Sequence, residues 1–260
     1  MGWSIVARDC TTGQYGVIVA SRFLACGALI PHAGAACAAA TQGYTNPLWG
    51  TESMAQMQDG AAAPDVLDRL VGRDRGRDRR QCHMIDATGH SAVYTGSDCP
   101  DWAGHVTETG VTVAGNNLSG PEVLAETLTT YLYAGPVAFA ERLILAMQAG
   151  ERAGGDRRGR QSAALIIHRG EDYPWLDLRV DDHGDPLAEM QRLYEVAGED
   201  YLFVADGLPT REDFSRGADR SGIDRAIAVD RRRRADEGRI SRSLASGAGV
   251  QAPPSRPPEE

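Results

Sequence analysis

The chain opens with MGWSIVARDCTTGQYGVIVASR, which places a hydroxyl, Ser4, at the head of a β-type run. A Ser, Thr or Cys near an N-terminus can act as a nucleophile whose proton passes to an amine. Residues two apart on a strand are separated by roughly 6–7 Å. The Gly2 amine would therefore reach Ser4 through a water, a geometry open to a general base. The alternative is an ordinary hairpin with Ser4 as a small polar filler. Arg22, ending the second run, is the natural fixed cation for such a site, or else one half of a surface ion pair. Thr41 and Gln42 end an Ala-rich run, where a backbone N–H could face a developing oxyanion and Gln42 could touch substrate. Asn116 stands in Gly115-Asn116-Asn117, between a strand and a helix; it is a second oxyanion donor candidate and equally suits a turn with a cap. Trp102, with Asp101 and His105, could line a substrate pocket, although an aromatic residue there also reads as core.

Composition removes several chemistries. The chain has no Lys, and all 27 of its basic residues are Arg. Lysine Schiff bases are thereby excluded, and with them pyridoxal-phosphate and lysine-aldolase mechanisms. So is a Gly-Lys-Ser/Thr phosphate loop. A general base must be His, a carboxylate or the terminal amine. The net charge of −9 argues against a nucleic-acid partner. None of the five Cys forms a C-x-x-C pair, and these thiols read as free and mostly buried. Asp181-Asp182-His183 is the one local cluster resembling metal ligands; a solvated loop entering a helix accounts for it as well. No metal or cofactor is expected. The apolar runs are too short to span a membrane, and no charged leader with an apolar stretch opens the chain, which reads as cytoplasmic.

The elements that must position these residues follow from periodicity and punctuation. Residues 3–8 and 15–20 read as a hairpin around Asp9-Cys10-Thr11-Thr12-Gly13, whose Asp and Gly are turn chemistry. Residues 23–31 read as an apolar loop or short strand, and 33–42 as one central strand of small residues. Two helices, 51–60 and 64–71, are expected from bounds and period. A second hairpin spans 81–85 and 90–95, and a strand covers 111–114. Gly120-Pro121 opens a helix reaching about residue 133; another spans about 137–149. Strands at 163–168 and 176–180 precede a helix at 185–196. Hairpins interleaved with helix pairs predict an α+β sandwich. From about Asp206 the pattern decays, Arg231–Arg234 reads as a solvated helix face or linker, and residues from Ser241 onward are Ser/Gly/Pro-rich.

Several motifs occur together in order: W-S-I-V-A-R-D at the start, V-A-S-R at 19–22, A-T-Q at 40–42, N-P-x-x-G at 46–50, W-A-G-H at 102–105, G-N at 115–116, G-G-D-R-R-G-R-Q-S-A-A-L at 154–165 and D-L-R-V-D-D-H at 177–183. In these the chain resembles the bacterial family known as domain of unknown function 1028, itself similar to N-terminal-nucleophile (Ntn) hydrolases. The resemblance covers roughly residues 1–200. It implies a four-layer αββα sandwich over residues 1–205; residues 206–260 lie outside the resemblance and read by composition as a charged, Pro/Gly/Ser-rich, largely disordered tail. It also implies that Asp156 and Ser162 support the N-terminus as acidic and hydroxyl partners, with Gln161 beside them at the substrate. The implied activity is hydrolysis of a small amide or peptide-like bond, with Ser4, Arg22, Thr41, Asn116, Asp156 and Ser162 as the catalytic set. Related chains begin Met-Thr, whereas this one carries Gly2, which supplies no hydroxyl. That departure supports the alternative, a catalytically inactive small-molecule binding protein on the same fold. An assembly subunit is a third reading, with a homo-oligomer as its consequence.

Overall fold

The computed structural model describes residues 2–245. It is a mixed α+β structure with two antiparallel sheets. The first hairpin joins β1 (Trp3–Arg8) to β2 (Tyr15–Ser21). Its turn is closed by Gly13 N donating to Asp9 O at 2.7 Å and Thr11 N donating to Asp9 Oδ1 at 2.9 Å, with Gly13 at φ +72°. Only a residue without Cβ adopts that φ without strain.

The next segment departs from the single strand expected at 33–42. It is a hairpin of β3 (Pro31–Ala33) and β4 (Ala38–Gly43), with Gly34 N donating to Cys37 O. Helices α1 (Pro47–Gln58) and α2 (Ala63–Arg73) follow, the first capped by the Asn46 side chain accepting from Leu48 N. Then come β5 (Arg80–Ile85), β6 (Ser91–Thr95), β7 (Gly104–Glu108) and β8 (Val111–Gly115). Strand β7 was not expected, because an edge strand reading GHVTE has no apolar alternation to announce it. The chain continues through α3 (Glu122–Tyr133), α4 (Phe139–Arg152), β9 (Ser162–His168), β10 (Leu176–Val180), α5 (Pro186–Ala197), α6 (Tyr201–Asp206) and α7 (Ser221–Asp236).

The larger sheet has the order β10-β9-β2-β1-β8-β7 and the smaller β3-β4-β5-β6, so β1 and β2 occupy the middle of the larger one. Strand side chains alternate between faces, and here both faces of both sheets find apolar partners. Trp3, Ile5 and Ala7 pack outward with Leu124, Leu143 and Ile144 of α3 and α4. Val6, Val17 and Val19 pack inward with Ala38, Ala40 and Ile85 of the smaller sheet. Cys37, Ala39, Cys82 and Met84 pack on that sheet's far face with Trp49, Met57 and Leu70 of α1 and α2. Each buried Val, Leu or Ile contributes roughly 1.5–3 kcal/mol, which fixes the register that sets the polar residues of the next section.

The expectation of a largely disordered segment from 206 onward is corrected for its described part. Helix α7 buries Ile227 and Asp230; Asp230 accepts from Arg234 Nε at 2.8 Å, and Arg234 also approaches Glu199 at 3.5 Å. Arg242 and Ser241 then dock on Glu195 and Glu199, both at 2.7 Å. Ion pairs, rather than an apolar face, hold this segment, which is why hydrophobic periodicity missed it. Residues 246–260 of the expected tail lie outside the described residues. Among the described residues no helix is long and apolar enough to cross a membrane.

Candidate functional site

The start of β1 is tied down from three directions. Gly2 N donates to Asp156 Oδ2 at 3.1 Å, and Arg22 N, just beyond β2, donates to the same oxygen at 3.0 Å. Arg158 grips Asp156 side-on, Nε to Oδ1 at 2.9 Å and Nη2 to Oδ2 at 2.6 Å. Burial alone would raise the pKa of Asp156. The Arg158 guanidinium and the N–H groups of Arg22 and Arg158 outweigh that and hold the carboxyl below its ordinary value. Gly2 has φ +34°, and a Cβ built there would lie 1.8 Å from the carbonyl oxygen of Ala20. Glycine is what allows this approach of the chain start to β2.

Ser4 faces the smaller sheet and is fully buried. Its Oγ lies 2.8 Å from His83 Nε2 and 3.3 Å from Gln42 Oε1, and His83 Nδ1 lies 2.8 Å from Thr112 Oγ1. Burial, reinforced by the nearby charge of His105, pushes His83 down to about 3, so it is neutral and carries one ring proton. With that proton on Nδ1, Nε2 accepts from Ser4; with it on Nε2, Ser4 accepts and turns its own proton to Gln42. Gln42 Nε2 in turn donates to Gln81 Oε1 at 3.1 Å and to Ala114 O at 2.9 Å. Gln81 also accepts from Asn116 Nδ2 at 3.0 Å and donates to Gly104 O and Gly115 O, each at 2.9 Å. A buried polar ladder, Asn116–Gln81–Gln42–Ser4–His83–Thr112, thus runs between the sheets, its members holding one another's hydrogen-bonding groups.

Sequence reasoning named Ser4, Gln42 and Asn116 in this ladder and missed Gln81, His83 and Thr112. It also placed Arg22, Asp156, Gln161 and Ser162 together, and these do gather beside the chain start, in structural contacts. Arg22 Nη1 donates to Gln161 Oε1 at 2.5 Å, and Gln161 Nε2 donates to Asp182 Oδ1 at 3.1 Å. Ser162 Oγ donates to Phe23 O at 2.5 Å and accepts from Cys26 N at 3.1 Å, bracing the loop after β2. Thr41 does not join Ser4. It pairs with Cys82 across the strands and so faces α1, its Oγ1 donates to Asn46 O, and its N–H is taken by Ile30 O. Trp102 is partly buried, packed over Gly104 and against the outer core of the larger sheet, and does not line the groove described below. The Asp181-Asp182-His183 cluster is spent on Arg179, on Gln161 and on the N–H of Asp185, which caps α5. Among the described residues no three His, Cys, Asp or Glu gather as a metal site. Burial pushes the thiols of Cys37 and Cys82 up to about 12 and that of Cys26 to about 11, so none is a ready thiolate.

Above the chain start lies a groove of about 610 Å³, lined among others by Phe23, Leu29, Tyr44, Arg80, Asn117 and Arg158. Its residues are the sequence neighbours of the buried set: Asn117 follows Asn116, Gly43 follows Gln42, and Arg158 holds Asp156. Another depression, of about 450 Å³ around Arg169, Tyr173 and Trp175, lies at the opposite end of the larger sheet, where His168 pairs with Tyr15.

The model of the "Family of unknown function (DUF1028)" matches residues 2–190. This chain belongs to the DUF1028 family. A solved structure of a Silicibacter pomeroyi protein of DUF1028 is similar to it at 32% identity and a TM-score of 0.76, over 83% of this chain and 94% of that one. No curated protein matches the sequence. The DUF1028 match takes in β1, the polar ladder, the groove and Asp156, and it stops short of α7.

Proposed function

We propose that this DUF1028 protein binds a small molecule in the groove over the start of β1 and releases it unchanged. The observation that carries the reading is at position 2. An Ntn-type nucleophile would stand there, yet the residue is glycine and a Cβ would lie 1.8 Å from the Ala20 carbonyl. Ser4, the next hydroxyl along β1, is fully buried, with its partners inside the sandwich. A volume of about 610 Å³ suits a small ligand, and its lining residues Gly43, Arg80 and Asn117 adjoin Gln42, Gln81 and Asn116 of the buried ladder. The same proposal takes the fold to be the four-layer αββα sandwich of the Ntn hydrolases. The two facing sheets and the helices packed on their outer faces support that likeness.

The test is thermal stabilisation by a small-molecule extract, compared between wild type and Leu29→Trp, which fills the groove. Stabilisation of wild type alone, with the ligand recovered intact, is expected. Equal stabilisation of both proteins would move the site elsewhere.

A second reading, a small-amide hydrolase, is favoured by the 2.8 Å contact of Ser4 Oγ with His83 Nε2. A neutral His within hydrogen-bond reach of a Ser is the pairing nucleophilic catalysis uses, although here the sheets would have to part to admit substrate. A β-lactone or fluorophosphonate that labels Ser4, read by intact mass and lost in Ser4→Ala, would favour this reading over binding.

A further inference from the structure

Resting on the binding reading, we infer that the ligand is a small organic acid: an anionic head, carboxylate or phosphate, on an apolar body. The lining of the groove includes two arginines, Arg80 and Arg158, and, among the described residues, no carboxylate. Each guanidinium has its counter-ion behind it rather than in the groove. Asp156, whose side chain is 1% exposed, takes Nε and Nη2 of Arg158, and Asp74, at 12%, takes Nε of Arg80 at 3.2 Å. Asp156 fixes Arg158 and leaves its outer nitrogen at the lining, whereas Arg80 also gives Nη1 to the carbonyl oxygen of Tyr44 and adds its charge from a fixed position. Arg158 remains 38% exposed, and its Nη1 has no partner among the described residues.

This cationic lining stands out in a chain of net charge −9, where an anion is repelled by the molecule as a whole and drawn only to a local positive field. The apolar half of the ligand follows from Phe23, Leu29 and Tyr44, large side chains left 42%, 37% and 58% exposed around the same groove. Arg79 lies over the Tyr44 ring at 5.6 Å and steadies it. A cation or an uncharged sugar would leave one or both of these features unused.

The experiment is calorimetric titration of the full chain with phenylacetate, phenyl phosphate, phenylacetamide and phenethylamine, repeated on Arg158→Gln and Leu29→Trp. At least one anion is expected to bind, and comparison of the two identifies the head group. Phenylacetamide should bind about ten- to a hundred-fold more weakly than the preferred anion, the range for one charge-assisted hydrogen bond, and phenethylamine not detectably. In Arg158→Gln the anion should weaken by a similar factor while the amide is unchanged, a difference that a general loss of structure would not produce. Amide binding as tight as the anions, abolished by Leu29→Trp, overturns the charge inference and leaves the groove reading standing. Anion binding that survives Leu29→Trp overturns both. Failure of all four probes overturns the inference, while the extract experiment still judges the groove.

Discussion

Acid should weaken this fold through its buried histidines, His83 above all. His83 is fully buried between the sheets, held by Ser4 and Thr112, with its pKa pushed down to about 3 by burial first and the charge of His105 second. In the unfolded chain it returns to about 6.5. Between these values the unfolded state binds a proton that the folded state refuses, so stability is full above pH 6.5 and falls as pH drops. The slope is about 1.4 kcal/mol per pH unit for one proton, or about 3 kcal/mol between pH 6.5 and 4.5. That is a large part of a typical total of about 5–15 kcal/mol. The assay is urea unfolding of wild type and His83→Gln at pH 7, 5.5 and 4.5. The pKa values of His32, His105 and His168 are also lowered by burial, but those residues are present in both proteins and cancel in the difference. Gln cannot titrate, so the stability of wild type relative to the variant should fall by about 3 kcal/mol over that range. A difference that stays constant with pH would refute a neutral, buried His83.

Three further outcomes follow from the same geometry. Gly2→Thr should lower the melting temperature, since its Cβ meets the Ala20 carbonyl and overpacking of this kind costs about 1–3 kcal/mol; an unchanged melting temperature in calorimetry would show that the chain start can rearrange. Ser4→Ala should cost about 1–3 kcal/mol in urea unfolding, because His83 and Gln42 lose a buried partner; a neutral effect would mean that the ladder reorganises without it. Asp156→Ala should cost about 1–3 kcal/mol, the scale for buried donors left unsatisfied, by taking the shared acceptor from the N–H groups of Gly2 and Arg22, while the half-exposed Arg158 turns to water; a cost near zero would contradict its role as the hub.

The sequence carried the hairpin, most of the strands and the helix pairs, because turn residues and apolar periodicity are local signals. It also carried the neighbourhood of the chain start, through Asp156, Ser162 and Arg22. It could not show His83 and Gln81, because Gln81-Cys82-His83-Met84 alternates polar with apolar, the pattern of a strand with one face in water. Here that polar face meets a second sheet. Thr41 and Gln42 both read as site residues at the end of one strand, yet strand alternation sends one toward α1 and the other to Ser4. The groove was hidden for another reason: Tyr44, Arg80 and Arg158 come from separate segments of the chain, and only the packed sheets bring them to one opening. Helix α7 carried too little apolar surface to register, since Arg234, Asp230 and Glu199 anchor it.

The central claim is that the groove over β1 holds an unreacted ligand. The most direct measurement is a crystal structure of the protein with the molecule it retains from a small-molecule extract. The account predicts an intact molecule in the groove, its apolar part against Tyr44 or Phe23 and its anionic head within hydrogen-bond distance of Arg158. A molecule seated instead around Arg169 and Trp175, or one joined covalently to Ser4, would contradict it.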